Sequence, residues 1–178
     1  MTKKYFILAL YAMALLLSPS PWFQNAFAQK HAASARFDTA KERIGGLRLG
    51  LSENDTVASI PCTPKKLKEI LEGATGDYVQ TWQFAACGIV LKMSSPKKGA
   101  PKSISAITLT KPATLATGRG IRIGSTEQEV LAAYGRYRDT DGDSKKGKQF
   151  VAGSIFDGMI FDFQTGAVVR IFLGAAAE

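Results

Sequence analysis

The sequence has one histidine, His31, in the polar stretch "QKHAASAR", where nothing adjacent would hold an imidazole in place. This argues against a cysteine–histidine nucleophile. It has only two cysteines, Cys62 and Cys87, so one intramolecular pairing is available. A bridge between them would stabilise the chain by roughly 3 to 4 kcal/mol in the chain-entropy picture, and the competing state is a pair of free, buried thiols. Cys62 also lies far beyond any position where lipid could be attached at a new N-terminus. No apolar run reaches the roughly 20 residues that a membrane-crossing helix needs; Phe6 to Leu17 falls well short. The glycine-spaced "GIRIG" lacks the third glycine of a dinucleotide fingerprint, and no other catalytic or cofactor motif is present. No catalytic residue, metal ligand or cofactor is therefore expected.

What is present begins with a leader. Lys3 and Lys4 precede the apolar run, and "SPSPWFQNAFAQ" then breaks the helix and ends in small residues two apart, Ala26 and Ala28. That is the pattern of a secretory signal peptide over residues 1–28, cleaved after Ala28, with an uncleaved membrane anchor as the competing reading. The expected mature chain is free and soluble, periplasmic or secreted, with no transmembrane segment. Its 150 residues suit one domain with its own core. Loss of Lys3 and Lys4 takes 23 basic residues to 21 against 15 acidic, a net +6. For an exported chain such charge points to anionic lipid, lipopolysaccharide, cell-wall polymer or an acidic protein, and not to nucleic acid. The lysines cluster in "KKLK" (Lys65 to Lys68), "KKGAPK" (Lys97 to Lys102) and "KKGK" (Lys145 to Lys148). The plainest reading of these clusters is solvated surface.

The chain also repeats itself. "GIRIGSTEQEVLAAYG" (120–135) aligns with "GLRLGLSENDTVASIP" (46–61), placing Gly124 on Gly50. Thr126 and Glu129 form a capping box, in which each side chain satisfies a backbone donor left open at a helix start; Ser52 and Asp55 take those positions in the first copy. Val130, Leu131 and Tyr134 form an apolar stripe, matched by Val57 and Ile60, and Gly135 or Pro61 ends the helix. After the first of these helices, Thr63, Pro64, Leu67, Ile70, Leu71 and Gly73 predict an additional helix over 63–73.

Period-two alternation then predicts strands. "YVQTWQFAACGIVLKM" aligns with "KQFVAGSIFDGMIFDF", and "SISAITL" with "AVVRIFL", with turn signals at Asp157-Gly158 and at Gln164-Thr165-Gly166. The expected fold is α+β: a loosely ordered lead-in over 29–44, then a single domain over 45–178. That domain comprises two tandem similar units, about 45–111 and 119–174, each a short helix followed by a three-stranded antiparallel meander. A bridge from Cys62 to Cys87 would staple the end of the first helix to its own sheet.

"IRIGSTEQEVLAAYG", echoed by "LRLGLSENDTVASI", resembles the helix-start motif of the SmpA/OmlA-type outer-membrane assembly proteins, and is similar to the tandem repeat of the β-lactamase inhibitory proteins. The resemblance implies short helical segments packed on antiparallel strands, and a domain that binds other proteins without carrying out chemistry. It transfers no functional residue.

The carboxylates have plain readings. Asp139, Asp141 and Asp143 alternate as in a calcium loop, but Ser144 stands where that loop turns on glycine and Phe150 where it needs a bidentate glutamate. Glu127 and Glu129, two apart on a helix, do not face each other. Asp157 belongs to a turn and Asp162 to an outer strand face. Tyr78, Trp82 and Phe84 at strand spacing read as core rather than as a binding platform. The resulting expectation is a non-catalytic, exported protein-binding module or envelope accessory factor whose partner is another envelope protein. The alternative is a binder of an anionic envelope component, lipid or polymer, through the lysine clusters.

Overall fold

The computed structural model describes residues 36–177, so the expected leader, with its expected cleavage after Ala28, lies outside the described residues. The chain has helix α1 (Glu53–Ser59), strands β1 (Lys65–Lys66), β2 (Ile70–Leu71), β3 (Tyr78–Phe84), β4 (Ile89–Ser95) and β5 (Ser103–Thr110), then helix α2 (Glu127–Tyr134) and strands β6 (Gln149–Gly153), β7 (Gly158–Gln164) and β8 (Ala167–Gly174). The fold is α+β. All the strands join one eight-stranded antiparallel sheet in the order β1-β3-β4-β5-β8-β7-β6, with β2 also pairing with β3. Two meanders, β3-β4-β5 and β6-β7-β8, thus meet along their last strands.

Alternation within the strands decides which face is core. Cross-strand neighbours run in two continuous rows, Trp82-Leu91-Ile107-Leu173-Met159-Ala152 and Phe84-Ile89-Leu109-Ile171-Phe161-Phe150. Every one of these side chains is buried. Burying a large apolar side chain contributes about 1.5 to 3 kcal/mol, so these two rows dominate the stability of the sheet. β4–β5 pairing shifts register at Lys92/Met93 and β7–β8 pairing at Asp162/Phe163, which adds an extra residue, Ser105 and Val169 respectively, on the partner strand.

Both helices pack on that core face. Thr56 of α1, Val130 and Tyr134 of α2, and Ile60 just beyond α1 are buried, and the Tyr134 ring lies 5.0 Å from that of Phe161. The buried position in α1 is Thr56 rather than the expected Val57, which is 48% exposed. Threonine is tolerated there because its hydroxyl donates to the Ser52 carbonyl (2.7 Å), which leaves its methyl free to face the core. Leu131 is likewise exposed, beside its buried neighbour Val130.

The additional helix expected over 63–73 does not form. That segment is extended and runs along the edge of β3: Lys65 lies opposite Gln83, Lys66 opposite Trp82, Ile70 opposite Val79 and Leu71 opposite Tyr78. The Leu67 N–H donates to the Thr81 carbonyl (2.9 Å) and the Gln80 side chain donates to the Leu67 carbonyl (2.8 Å). The physical reason is tethering. Cys62 is bonded to Cys87 with 6.2 Å between their Cα atoms, so the chain leaves α1 at the end of β3, and the open edge of β3 offers its backbone groups.

Two further details differ from the sequence reading. Asp157-Gly158 is not the centre of a tight turn: Gly153 pairs with Gly158, and residues 154–157 make the connection. From Arg36 the lead-in is packed: Phe37 is buried beside Tyr137 (5.5 Å between rings), and Thr39–Lys41 forms a short 3-10 turn capped by Asp38.

Candidate functional site

The repeated helix starts do structural work. Gly50 and Gly124 have φ of +74° and +92°, a region that side chains rarely adopt, and each turns the chain into its helix. At α2 the Thr126 N–H donates to Glu129 (2.6 Å) and the Glu129 N–H to the Thr126 hydroxyl (3.2 Å), a complete capping box. At α1 the Asp55 N–H donates to Ser52 (3.3 Å), but the shorter Asp55 carboxylate takes the Ser52 hydroxyl (2.7 Å) instead of reaching back to the backbone. The backbone and side-chain hydrogen bonds from Thr126 hold Glu129 below the usual carboxylate range.

Cys62 and Cys87 form a disulfide, and both sulfurs pack against the core. Such a bond belongs to an oxidising, extracytoplasmic environment. No described helix is long and apolar enough to cross a membrane.

The carboxylates singled out in the sequence are engaged locally. Asp139 accepts from the N–H groups of Asp143 (2.7 Å) and Ser144 (3.0 Å) and from the Ser144 hydroxyl, closing its own loop. Burial pushes its pKa up, but the bonds from Ser144, Asp143 and Gly142 outweigh that and lower it overall. Asp141 and Asp143 do not join it as ligands: among the described residues no group of three or more His, Cys, Asp or Glu is placed to hold a metal ion. Glu127 accepts from the Gly147 N–H (3.1 Å), and Asp157 accepts from the Thr39 hydroxyl (2.6 Å). Asp162 pairs with Arg170 and accepts from Gln149 (3.0 Å).

A polar cluster that sequence reading missed ties the lead-in to α2. Buried Glu42 accepts from Arg119 (3.1 Å) and from the Tyr134 hydroxyl (3.3 Å), and Arg119 also donates to the Tyr137 hydroxyl (3.0 Å). Burial, above all, raises the Tyr134 pKa well beyond the usual tyrosine range. The Arg119 guanidinium lies 4.7 Å from the Tyr137 ring centre. These residues come from three separate segments, around 42, 119 and 134–137, and no periodic signal connects the segments.

The sheet face opposite the core carries no described helix. Its central row is Gln83, Val90, Thr108, Phe172, Ile160 and Val151. Ile160 and Val151 are buried at one end, the other end continues from Gln83 to Lys65 on β1, and beside the row, two residues along β4 from Val90, Lys92 ties down the 72–77 turn through Glu72. In the middle of the row Val90 is exposed and its neighbours Thr108 and Phe172 are half-buried, with the Arg170 guanidinium 5.9 Å from the Phe172 ring. Apolar, hydroxyl and guanidinium groups thus converge on one open patch. The lysine clusters lie elsewhere: Lys65 to Lys68 along the β3 edge, Lys97 to Lys102 in the β4–β5 connection, and Lys145 to Lys148 leading into β6 at the opposite edge. No protein-family model, curated protein or solved structure matches the chain.

Proposed function

We propose that the chain is an exported, periplasmic protein-binding module without catalytic activity, built from two tandem similar units, and that it holds an envelope protein against the open middle of its sheet. The observation that carries this reading is the one-sided sheet. Its helices crowd one face and leave Val90 exposed and Thr108 and Phe172 partly exposed on the other, with Arg170 beside them. Aromatic and arginine groups on an accessible platform are the side chains most often found to dominate protein interfaces.

Duplication is supported by paired backbone bonds. The Gly50 N–H donates to Ile104 and the Gly124 N–H to Val168, both at 2.8 Å. Ser52 bridges Ser103 as Thr126 bridges Ala167, and the two register shifts fall at matching places. The likeness of the helix-start motif to the SmpA/OmlA-type and β-lactamase inhibitory proteins favours the same class of function, and the disulfide favours export. The test is in-cell photocrosslinking from Val90 and Thr108 in the native host, followed by purification at high salt. A small, reproducible set of envelope proteins supports the reading. Adducts no richer than those formed from Lys146, at the far edge, would count against it.

A further inference from the structure

We propose that the β1–β2 edge is a peripheral docking surface for an anionic lipid membrane. Of the seven large apolar side chains that stand exposed among the described residues, Val57, Leu67, Ile70 and Leu71 come from this one region, with Ile70 58% and Leu71 59% accessible. Val57 follows Glu53 by four residues on α1, and so shares the side of the helix that Glu53 uses to reach Lys66 (2.9 Å) on β1.

The charge that surrounds this apolar edge comes from two clusters far apart in sequence. Glu69, next to Ile70, accepts from the Gly99 N–H (3.1 Å) and pairs with Lys102 (2.7 Å). The Lys97–Lys102 connection is thereby held against the segment that carries Lys65 to Lys68. The local acids are already engaged: Glu53 by Lys66, Glu69 by Lys102 and Glu72 by Lys92. The ammonium groups of Lys65, Lys68, Lys97 and Lys98 form no ion pair among the described residues, although Lys98 lies close enough to Glu69 to favour its charged form. The third cluster, Lys145 to Lys148, is at the opposite edge of the sheet and takes no part.

Exposed aliphatic side chains with lysines on the same segment and on the loop that Glu69 holds beside it match the two demands of an anionic bilayer surface, apolar insertion and headgroup attraction. A second copy of the chain is a poorer occupant, because edge-to-edge pairing would bring the same lysines together. This docking edge adjoins the Val90–Phe172 patch through Gln83, which lies between Lys65 and Val90, and its apolar residues Ile70 and Leu71 lie farther along β3.

The experiment is vesicle co-sedimentation of the protein as its host processes it, with phosphatidylglycerol-containing and with purely phosphatidylcholine vesicles. The expected result is binding to the anionic vesicles only, released as salt rises toward about 0.5 M. Ile70→Asp/Leu71→Asp and, independently, Lys65→Glu/Lys68→Glu should each weaken it by roughly tenfold or more. Lys145→Glu/Lys146→Glu, at the far edge, should retain most of it. Equal binding to neutral vesicles, or undiminished binding by both edge variants while their melting temperatures hold, would overturn the proposal. So would a self-associated protein that Ile70→Asp/Leu71→Asp converts to monomer in sedimentation velocity without any vesicle binding.

Discussion

Thr108 lies directly opposite Phe172 where β5 meets β8, and flanking pairs run Ile107 to Leu173 and Leu109 to Ile171. In the alignment of "SISAITL" with "AVVRIFL", Thr108 and Phe172 are also equivalent positions, so under the proposed duplication a local two-fold would pass between these residues. The accessible patch proposed for partner binding is centred on that axis. Each half contributes one of the two side chains.

Removal of a helix start should be costly and local. Thr126→Ala is expected to lose about 1 kcal/mol of stability, because the Glu129 N–H loses the Thr126 hydroxyl and the Glu129 carboxylate loses the hydroxyl that helps to hold it. Gly124→Ala should cost about as much, through its positive φ alone, since nothing lies within 4 Å of an added Cβ. Urea unfolding of each variant measures both.

The disulfide closes the loop that carries β1, β2 and β3. Cys62→Ser/Cys87→Ser is expected to lower stability by about 2 to 4 kcal/mol, seen as an earlier midpoint in denaturant. The same loss should follow reduction of the unaltered protein and be absent on reduction of the double variant.

Asp139 supplies a pH-dependent contribution. Its folded pKa lies below the ordinary aspartate value of 3.8. The stability it adds is therefore fully present above about pH 4 and is lost as pH falls through the lowered folded value. Asp139→Asn should be less stable than the parent at pH 7, by about 1 to 2 kcal/mol, with the gap narrowing below pH 4. Thermal melts across that range read it directly.

Glu42 is buried and leans on Arg119 and Tyr134. Arg119→Ala strands that carboxylate and should cost about 2 kcal/mol, less than for a fully buried pair because Arg119 is partly open to water. Arg119→Ala/Glu42→Gln should recover part of the loss. A double-mutant cycle by thermal unfolding measures the coupling.

Local signals carried much of this fold. The capping residues at Ser52 and Thr126 mark real helix starts, and the alternation in Tyr78 to Met93 and in Met159 to Phe163 marks real strands. The pairing of Cys62 with Cys87 was legible because only one intramolecular pairing exists. The 63–73 segment misled because Leu67, Ile70 and Leu71 have helical spacing, while a tether and an open strand edge, both long-range, decide its conformation. Thr56 takes the core position expected of Val57 because a threonine whose hydroxyl is satisfied by its own helix can serve as a core residue. The binding surfaces were the least legible. The Val90, Thr108 and Phe172 patch depends on how two distant meanders join. The approach of the lysine clusters near residues 65 and 98 depends on Glu69 gripping a distant loop.

The measurement that bears most directly on partner binding is photocrosslinking from Thr108, compared between the parent and Phe172→Asp. Phe172→Asp removes the aromatic group from the patch, and Phe172 belongs to neither row of the core. The expected result is a discrete envelope-protein adduct from the parent, retained at high salt and reduced at least tenfold in Phe172→Asp, with the two melting temperatures within a few degrees. An adduct of equal yield from both chains, or none from either, would contradict partner binding at this face.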